Sequence, residues 1–175
     1  MRRTVALSAV PVAIAARSIL LAGCSDSTTD NTTRDSSGAV ASAGTLGVEK
    51  LRVGDCVNVG DLAKKTEGDV EAFAGVPCAD PHQAEVFVAE KTFYIDQPLT
   101  FPGDAKLGDL ADEACAAAFE TFTGAPYTDK STTDWITVAP TADSWASDDR
   151  ALVCAIVTPT ADGNDLKKTT GSLKG

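Results

Sequence analysis

Apolar positions recur at different spacings along this chain, and each spacing predicts a different element. Between residues 105 and 123 they come in steps of three and four: Leu107, Leu110, Ala111, Ala114, Cys115, Ala118, Phe119 and Phe122. On a helix these form one continuous stripe, with Asp104 placed to cap the start and Gly124 the end. Gly108 weakens the first turn by about 1 kcal/mol relative to alanine. The segment "AEVFVAEKTFYI" (84–95) instead predicts a strand. Val86, Val88 and Glu90 would share one face, and Glu85, Phe87 and Ala89 the other. Neither face is cleanly polar, so the strand belongs inside a sheet.

Shorter patterns surround these two. "KLRVGDCVNVG" (50–60) predicts a short strand and a turn, with Cys56 at its end. Residues 60–77 are polar and loop-like, punctuated by Gly68, Gly75 and Pro77. "QPLTFPG" (97–103) breaks the main strand, and "DWITVA" (134–139) predicts another. "TADSWASDD" (141–149) fits a short helix capped by Thr141 with Trp145 turned inward. "RALVCAIV" (150–157) predicts a last strand with Leu152, Cys154 and Ile156 on one face. The element order gives an α+β fold: a small, mostly antiparallel sheet with one main amphipathic helix packed on it.

The first 47 residues follow other rules. Arg2 and Arg3 precede a mostly apolar run from Val5 to Leu21, the layout of a signal peptide over 1–23. The run holds 17 residues with Pro11 and Arg17 inside it, whereas a membrane span needs about 20 apolar ones. Its ending, Leu21-Ala22-Gly23-Cys24, resembles the bacterial lipobox. That resemblance implies cleavage before Cys24, a diacylglyceryl group on its thiol, and a protein held on the extracytoplasmic face of the cell membrane. Two acyl chains suffice for stable anchoring where one is marginal. Residues 24–47 are then the lipidated cysteine and a Ser/Thr/Asp/Gly tether with almost nothing to bury, expected to be disordered. The domain proper is expected over 48–175.

Charge narrows the partners. Loss of Arg2, Arg3 and Arg17 with the signal leaves 12 basic against 25 acidic residues, a formal net charge of −13. That balance speaks against nucleic acid and against electrostatic docking on anionic lipid. Four cysteines remain once Cys24 is assigned to lipid: Cys56, Cys78, Cys115 and Cys154. An even count in an exported domain suggests two disulfides. Zinc is the rival, but the spacing contains no CxxC pair. A helix cysteine in an apolar stripe and a strand cysteine among large aliphatics suggest Cys115–Cys154, which leaves Cys56–Cys78.

The stretch "CADPHQAEV" (78–86) holds the only histidine. Cys78 and His82 would make a nucleophile and its base if the thiol were free; a disulfide consumes it. Asp80, His82 and Glu85 offer three metal ligands without a second cluster to support them. The structural reading is a turn at Asp80-Pro81, with His82 leading the chain into the strand at Ala84 and bonding a carbonyl or carboxylate. No GxSxG motif supports serine chemistry. Trp135 and Trp145 are sugar-stacking candidates or core residues. Arg150 reads as an ion pair or surface group. His82, Trp145 and Arg150 remain the candidate interaction residues; no catalytic residue, metal or cofactor is expected.

"VGDC" (53–56), "VPCADPHQAEVF" (76–87), "ACAAAF" (114–119), "APTADSWASDDRALVC" (139–154) and "TGSLKG" (170–175) together resemble the septum-formation domain family. That family occurs in envelope and membrane-anchored proteins of high-GC Gram-positive bacteria. Pro81, His82, Glu85, Val86, Phe87, Pro140, Ser144, Trp145, Asp149 and Arg150 match its pattern. The resemblance implies a link to the division septum and supplies no catalytic mechanism. The expectation is a lipid-anchored, non-enzymatic interaction domain that recruits an unknown envelope or division protein. The alternative is a ligand-binding lipoprotein that captures a cell-wall glycan or small solute.

Overall fold

The amphipathic stripe forms helix α1 (Asp104–Thr123). Leu107, Ala111, Cys115, Phe119 and Phe122 are buried along it, with Leu110, Ala114 and Ala118 packed at the margin. Gly124 ends the helix in the left-handed region (φ 72°) and donates its N–H to the Glu120 carbonyl at 2.9 Å, a conformation other residues adopt only with strain. Asp104 does not cap the start. Gly103 holds that position at φ 97°, with no side-chain cap. Asp104 lies within the first turn, where its charge faces the positive end of the helix dipole. The computed structural model describes residues 30–60 and 70–175. The expected signal peptide, Cys24 and residues 61–69 lie outside the described residues.

Among the described residues, eight strands accompany the helix. β1 (Thr33–Arg34) pairs with β2 (Val40–Ser42). β3 (Gly44–Gly47), β4 (Cys56–Asn58), β5 (Ala72–Val76), β6 (Ala84–Glu90), β7 (Asp134–Val138) and β8 (Leu152–Val157) form a six-stranded sheet in the order β3-β5-β4-β6-β8-β7. Every pairing among the described residues is antiparallel. A short helix α2 (Ala142–Ala146) precedes β8. The α+β architecture with one main helix is the one expected.

Strand β8 is buried at all six positions. Leu152, Cys154 and Ile156 join a core with Phe87, Phe119 and Trp145 under α1. Val153, Ala155 and Val157 join a second core with Leu46, Val57 and Phe73. Strand β6 lies between β4 and β8, as its apolar faces require. Its faces do not alternate strictly, however. The register against β8 shifts between Val86, opposite Ala155, and Val88, opposite Cys154. Phe87 is the extra residue of a bulge, which turns the chain over. Phe87 and Val88 therefore both enter the helix-side core, while Val86 and Ala89 pack into the other. The strand ends at Glu90, and residues 91–97 turn away from it.

Two segments expected to be irregular are ordered. Residues 72–76 form β5, within the stretch read as loop, and Cys56 begins β4 rather than ending a strand. The tether expectation fails over residues 30–47, which form β1, β2 and β3. These residues bury little, but their backbone completes the sheet: β3 pairs with β5 from Gly44 opposite Gly75 to Gly47 opposite Ala72. Leu46 and Val40 plug the second core at 0% and 7% exposure. The strands approach closely because a glycine faces them. A Cβ on Gly75 would meet Leu46 Cβ and Thr32 Cγ2 at 3.1 Å. Order comes from pairing and a few plugs, which composition does not register.

Both disulfides join the expected partners. Cys115–Cys154 fastens α1 to β8 (Cα–Cα 6.0 Å), and Cys56–Cys78 fastens β4 to the turn after β5 (Cα–Cα 5.2 Å). They close loops of 39 and 22 residues, each worth roughly 3–4 kcal/mol on chain entropy. Replacing Cys115 and Cys154 together by alanine is expected to lower unfolding free energy by about 3–4 kcal/mol, measured by urea titration. A loss below about 1 kcal/mol would show that packing alone holds α1 on the sheet.

Candidate functional site

The motif residues gather at two corners of the domain. The first lies around the Cys56–Cys78 disulfide. Asp80 N–H bonds back to the Pro77 carbonyl at 2.8 Å, which makes the expected turn. His82 follows at 0% exposure, with Nδ1 2.8 Å from the Asp80 carbonyl. Nδ1–H is therefore the donor, and Nε2 is left buried with no partner among the described residues. The His82 backbone exchanges both hydrogen bonds with Thr169, at 2.9 and 2.8 Å. Glu85, 1% exposed, turns its carboxylate toward the last residues: Ser172 Oγ donates to Oε1 and Leu173 N–H to Oε2, both at 2.6 Å. Gly171 N–H reaches the Cys78 carbonyl, also at 2.6 Å. Residues 169–173 thus form a strap over the corner.

This arrangement decides the chemistry of the "CADPHQAEV" stretch. Cys78 has no free thiol beside His82. The sulfurs of Cys56 and Cys78 and a Glu85 oxygen lie within 4.8 Å of one another, but the disulfide uses both sulfurs. Asp80, His82 and Glu85 do not converge on one point: Asp80 is exposed, the His82 ring bonds a carbonyl, and Glu85 holds the strap.

The second corner is built by α2. Thr141 Oγ1 accepts from Ser144 N–H at 3.2 Å and Ser144 Oγ from Thr141 N–H at 3.0 Å, a capping box. Ser144 Oγ also donates to Asp149, whose other oxygen accepts from Ala151 N–H. Asp148 lets the chain reverse at φ 65°, a conformation that aspartate tolerates better than most residues. Trp145 is 2% exposed and donates from Nε1 to the Leu99 carbonyl at 2.9 Å. Arg150 lies 3.7 Å from the centre of the Trp145 ring and donates to the Trp145 and Asp149 carbonyls at 3.0 and 2.6 Å, so it combines a cation–π contact with carbonyl capping.

His82, Trp145 and Arg150, the expected interaction residues, are therefore all buried and turned into the fold. Arg150, at 7% exposure, is neither a surface group nor the partner of Asp149's carboxylate. Trp135 is half-buried against Phe119 and Tyr127.

A third feature was not anticipated. Asp55 of the "GDC" stretch is 2% exposed and binds Arg34 through both oxygens, at 2.6 and 2.8 Å. Arg34 also donates to the Gly38 and Lys50 carbonyls, and Asp55 holds its guanidinium still more firmly in the charged form. This pair clamps residues 30–40 onto the domain. Beside it opens a cleft of about 510 Å³, bordered by Arg34, Lys50, Arg52, Val53 and Lys91.

A family model described as "Septum formation" matches residues 53–175. The chain belongs to the septum formation family. No curated protein and no solved structure matches it. The septum formation motifs now have physical roles: GDC sets a turn, a clamp and a disulfide; PH and EVF set the strap corner; SW and DR set the α2 platform. The family model begins at Val53, yet the ordered fold begins at least as early as Asp30. Glu85 and Asp55 are the residues that sequence reasoning undervalued. The available signal was an acidic residue next to Cys56 in one case and inside the apolar strand β6 in the other.

Glu85→Ala leaves Ser172 Oγ and Leu173 N–H without their acceptor. The expected cost is about 1.5–3 kcal/mol, with faster amide exchange at Gly171 and Leu173 by NMR while the β8 amides keep their protection. Unchanged exchange in the strap would show that Glu85 does not hold it. Tyr94, 1% exposed with its hydroxyl on the Leu107 carbonyl, gives a pH signature. Burial, helped by the Asp112 charge, pushes its phenol from 10.0 up to about 12. Its neutral form is favoured in the folded state, so its contribution is complete below pH 10 and is lost as pH rises toward about 12. Tyr94→Phe is expected to flatten that alkaline decline in urea stability.

Proposed function

We propose that this septum formation protein is a lipid-anchored, extracytoplasmic interaction protein that positions another envelope component at the division septum without catalysing a reaction. One observation carries the non-catalytic part. The motif residues that suggested a reactive centre are committed to the fold: Cys78 to a disulfide, His82 to the Asp80 carbonyl, Glu85 to the strap, Arg150 to the Trp145 ring. A catalyst needs a nucleophile or a proton-transfer group within reach of substrate; these groups are turned away from solvent. What they build is a cross-linked body suited to presenting a fixed surface. The anchor rests on the signal-like start and on Cys24 in its lipobox-like context.

The cleft favours a second reading, capture of a small solute or a wall glycan. Among the described residues, no aromatic side chain borders it, whereas sugar sites commonly offer a ring face for stacking. The interaction reading therefore stands first.

Cys24→Ser is expected to move the protein from the membrane to the soluble extracytoplasmic fraction; unchanged fractionation sinks the anchor. A fluorescent fusion of the unaltered chain is expected to concentrate at division sites, and a uniform outline throughout division would remove the septal placement.

A further inference from the structure

Net charge averages over a surface that is not uniform. Four of the chain's 15 basic residues, Arg34, Lys50, Arg52 and Lys91, border the cleft of about 510 Å³, against Asp30 and Glu49. Arg34 is committed to Asp55, but Lys50, Arg52 and Lys91 are exposed. Among the described residues, Val53, Ile95, Leu99 and Tyr127 are the large apolar side chains left exposed, and Ile95 and Leu99 follow the cleft residue Lys91 by four and eight positions. Val53 borders the cleft, and the loop bearing Ile95 and Leu99 departs from it at Lys91.

That loop is braced from behind. Its Leu99 carbonyl is held by Trp145 Nε1, Tyr94 N–H bonds the Arg150 carbonyl at 3.0 Å, and Phe101 packs on Trp145 at 5.9 Å. Leu99 nevertheless stands 89% exposed and Ile95 62%. Asp30, the first described residue, also borders the cleft and follows Cys24 by six positions. Six residues reach at most about 21 Å.

We propose that this end of the domain is its membrane-facing end. It seats on an anionic bilayer with Ile95 and Leu99 among the lipid headgroups and Lys50, Arg52 and Lys91 against their phosphates. The assignment rests on the anchor at Cys24. Charges more than about 8 Å away are screened at physiological salt, so local charges, not the acidic total, decide how this end meets a surface. A short tether raises the local concentration of the face at the bilayer, to the millimolar range for flexible linkers, so a weak contact is enough. The exposed Glu90 precedes the loop and the exposed Asp96 stands on it, so the basic side of the face is Lys50, Arg52 and Lys91 at the cleft. Apolar tips beside basic side chains are the composition that interfacial segments use.

The test takes the full lipidated protein in vesicles of phosphatidylglycerol and, separately, of phosphatidylcholine, read by amide exchange. Exchange over 50–53 and 91–99 is expected to slow in phosphatidylglycerol, with the rest of the domain unchanged. Arg52→Glu with Lys91→Glu is expected to weaken that protection by about fivefold for each basic group lost. Leu99→Asp is expected to reduce it while the protein stays on the vesicles. Wild-type protein that floats with the vesicles yet shows no protection overturns the seat and leaves the anchor standing. Protein that does not float overturns the anchor and the seat with it. Protection by inorganic phosphate alone would make the cleft an ion site. Protection that appears only with an added envelope protein would make the face a protein interface. Either outcome overturns the lipid assignment.

Discussion

A strand that buries both of its faces needs two covers, and β8 sets that requirement for the whole domain. Helix α1 supplies the first cover and is fastened to β8 by Cys115–Cys154. The second comes from the far half of the sheet and from residues 40–51, whose Val40, Leu46 and Leu51 fill the other core. Without that cover, Val153, Ala155 and Val157 would face water. The ordering of the Ser/Thr-rich segment before residue 48 is thus a consequence of β8's composition, "LVCAIV", more than of anything in the segment itself.

Two buried carboxylates make the covers stay. Asp55 grips Arg34 on the N-terminal side, and Glu85 grips Ser172 and Leu173 on the C-terminal side. Each sits one residue from a disulfide sulfur or across a ladder from one: Asp55 precedes Cys56, and Glu85 pairs with Cys56 across β4 and β6. Buried ions are costly unless matched by donors, and here each carboxylate has at least two. The same matching fixes where both end segments lie, so specificity of arrangement is the clearest return on burying them.

Local periodicity was legible wherever it was long or strongly flanked. The α1 stripe, the β8 faces and the Thr141 cap all followed from spacing, and the shared apolar settings of Cys115 and Cys154 were enough to pair all four cysteines. Three things were not legible. Composition hid the order of residues 30–47, because backbone pairing to β5 leaves no apolar trace. Alternation failed at Phe87, because a bulge inserts one residue without a distinctive sequence. His82, Trp145 and Arg150 looked available for contact because polar and aromatic residues in motifs read the same whether they meet a partner or their own backbone. Only the tertiary placement of the Asp80 carbonyl and the Trp145 ring separates those cases.

The strap at residues 169–173 also sets an order of events in folding. Ser172 lies 87 residues after Glu85. A chain emerging N-terminus first presents the Glu85 carboxylate well before its two donors exist. At synthesis rates of ~5–20 residues per second that interval is about 4–17 s. During it the corner around Cys78 lacks its strap. Once the strap closes, Gly171 N–H sits on the Cys78 carbonyl and Cys78 is left half-buried. The strap is therefore the last cover to reach this corner, arriving after both of its cysteines are already present.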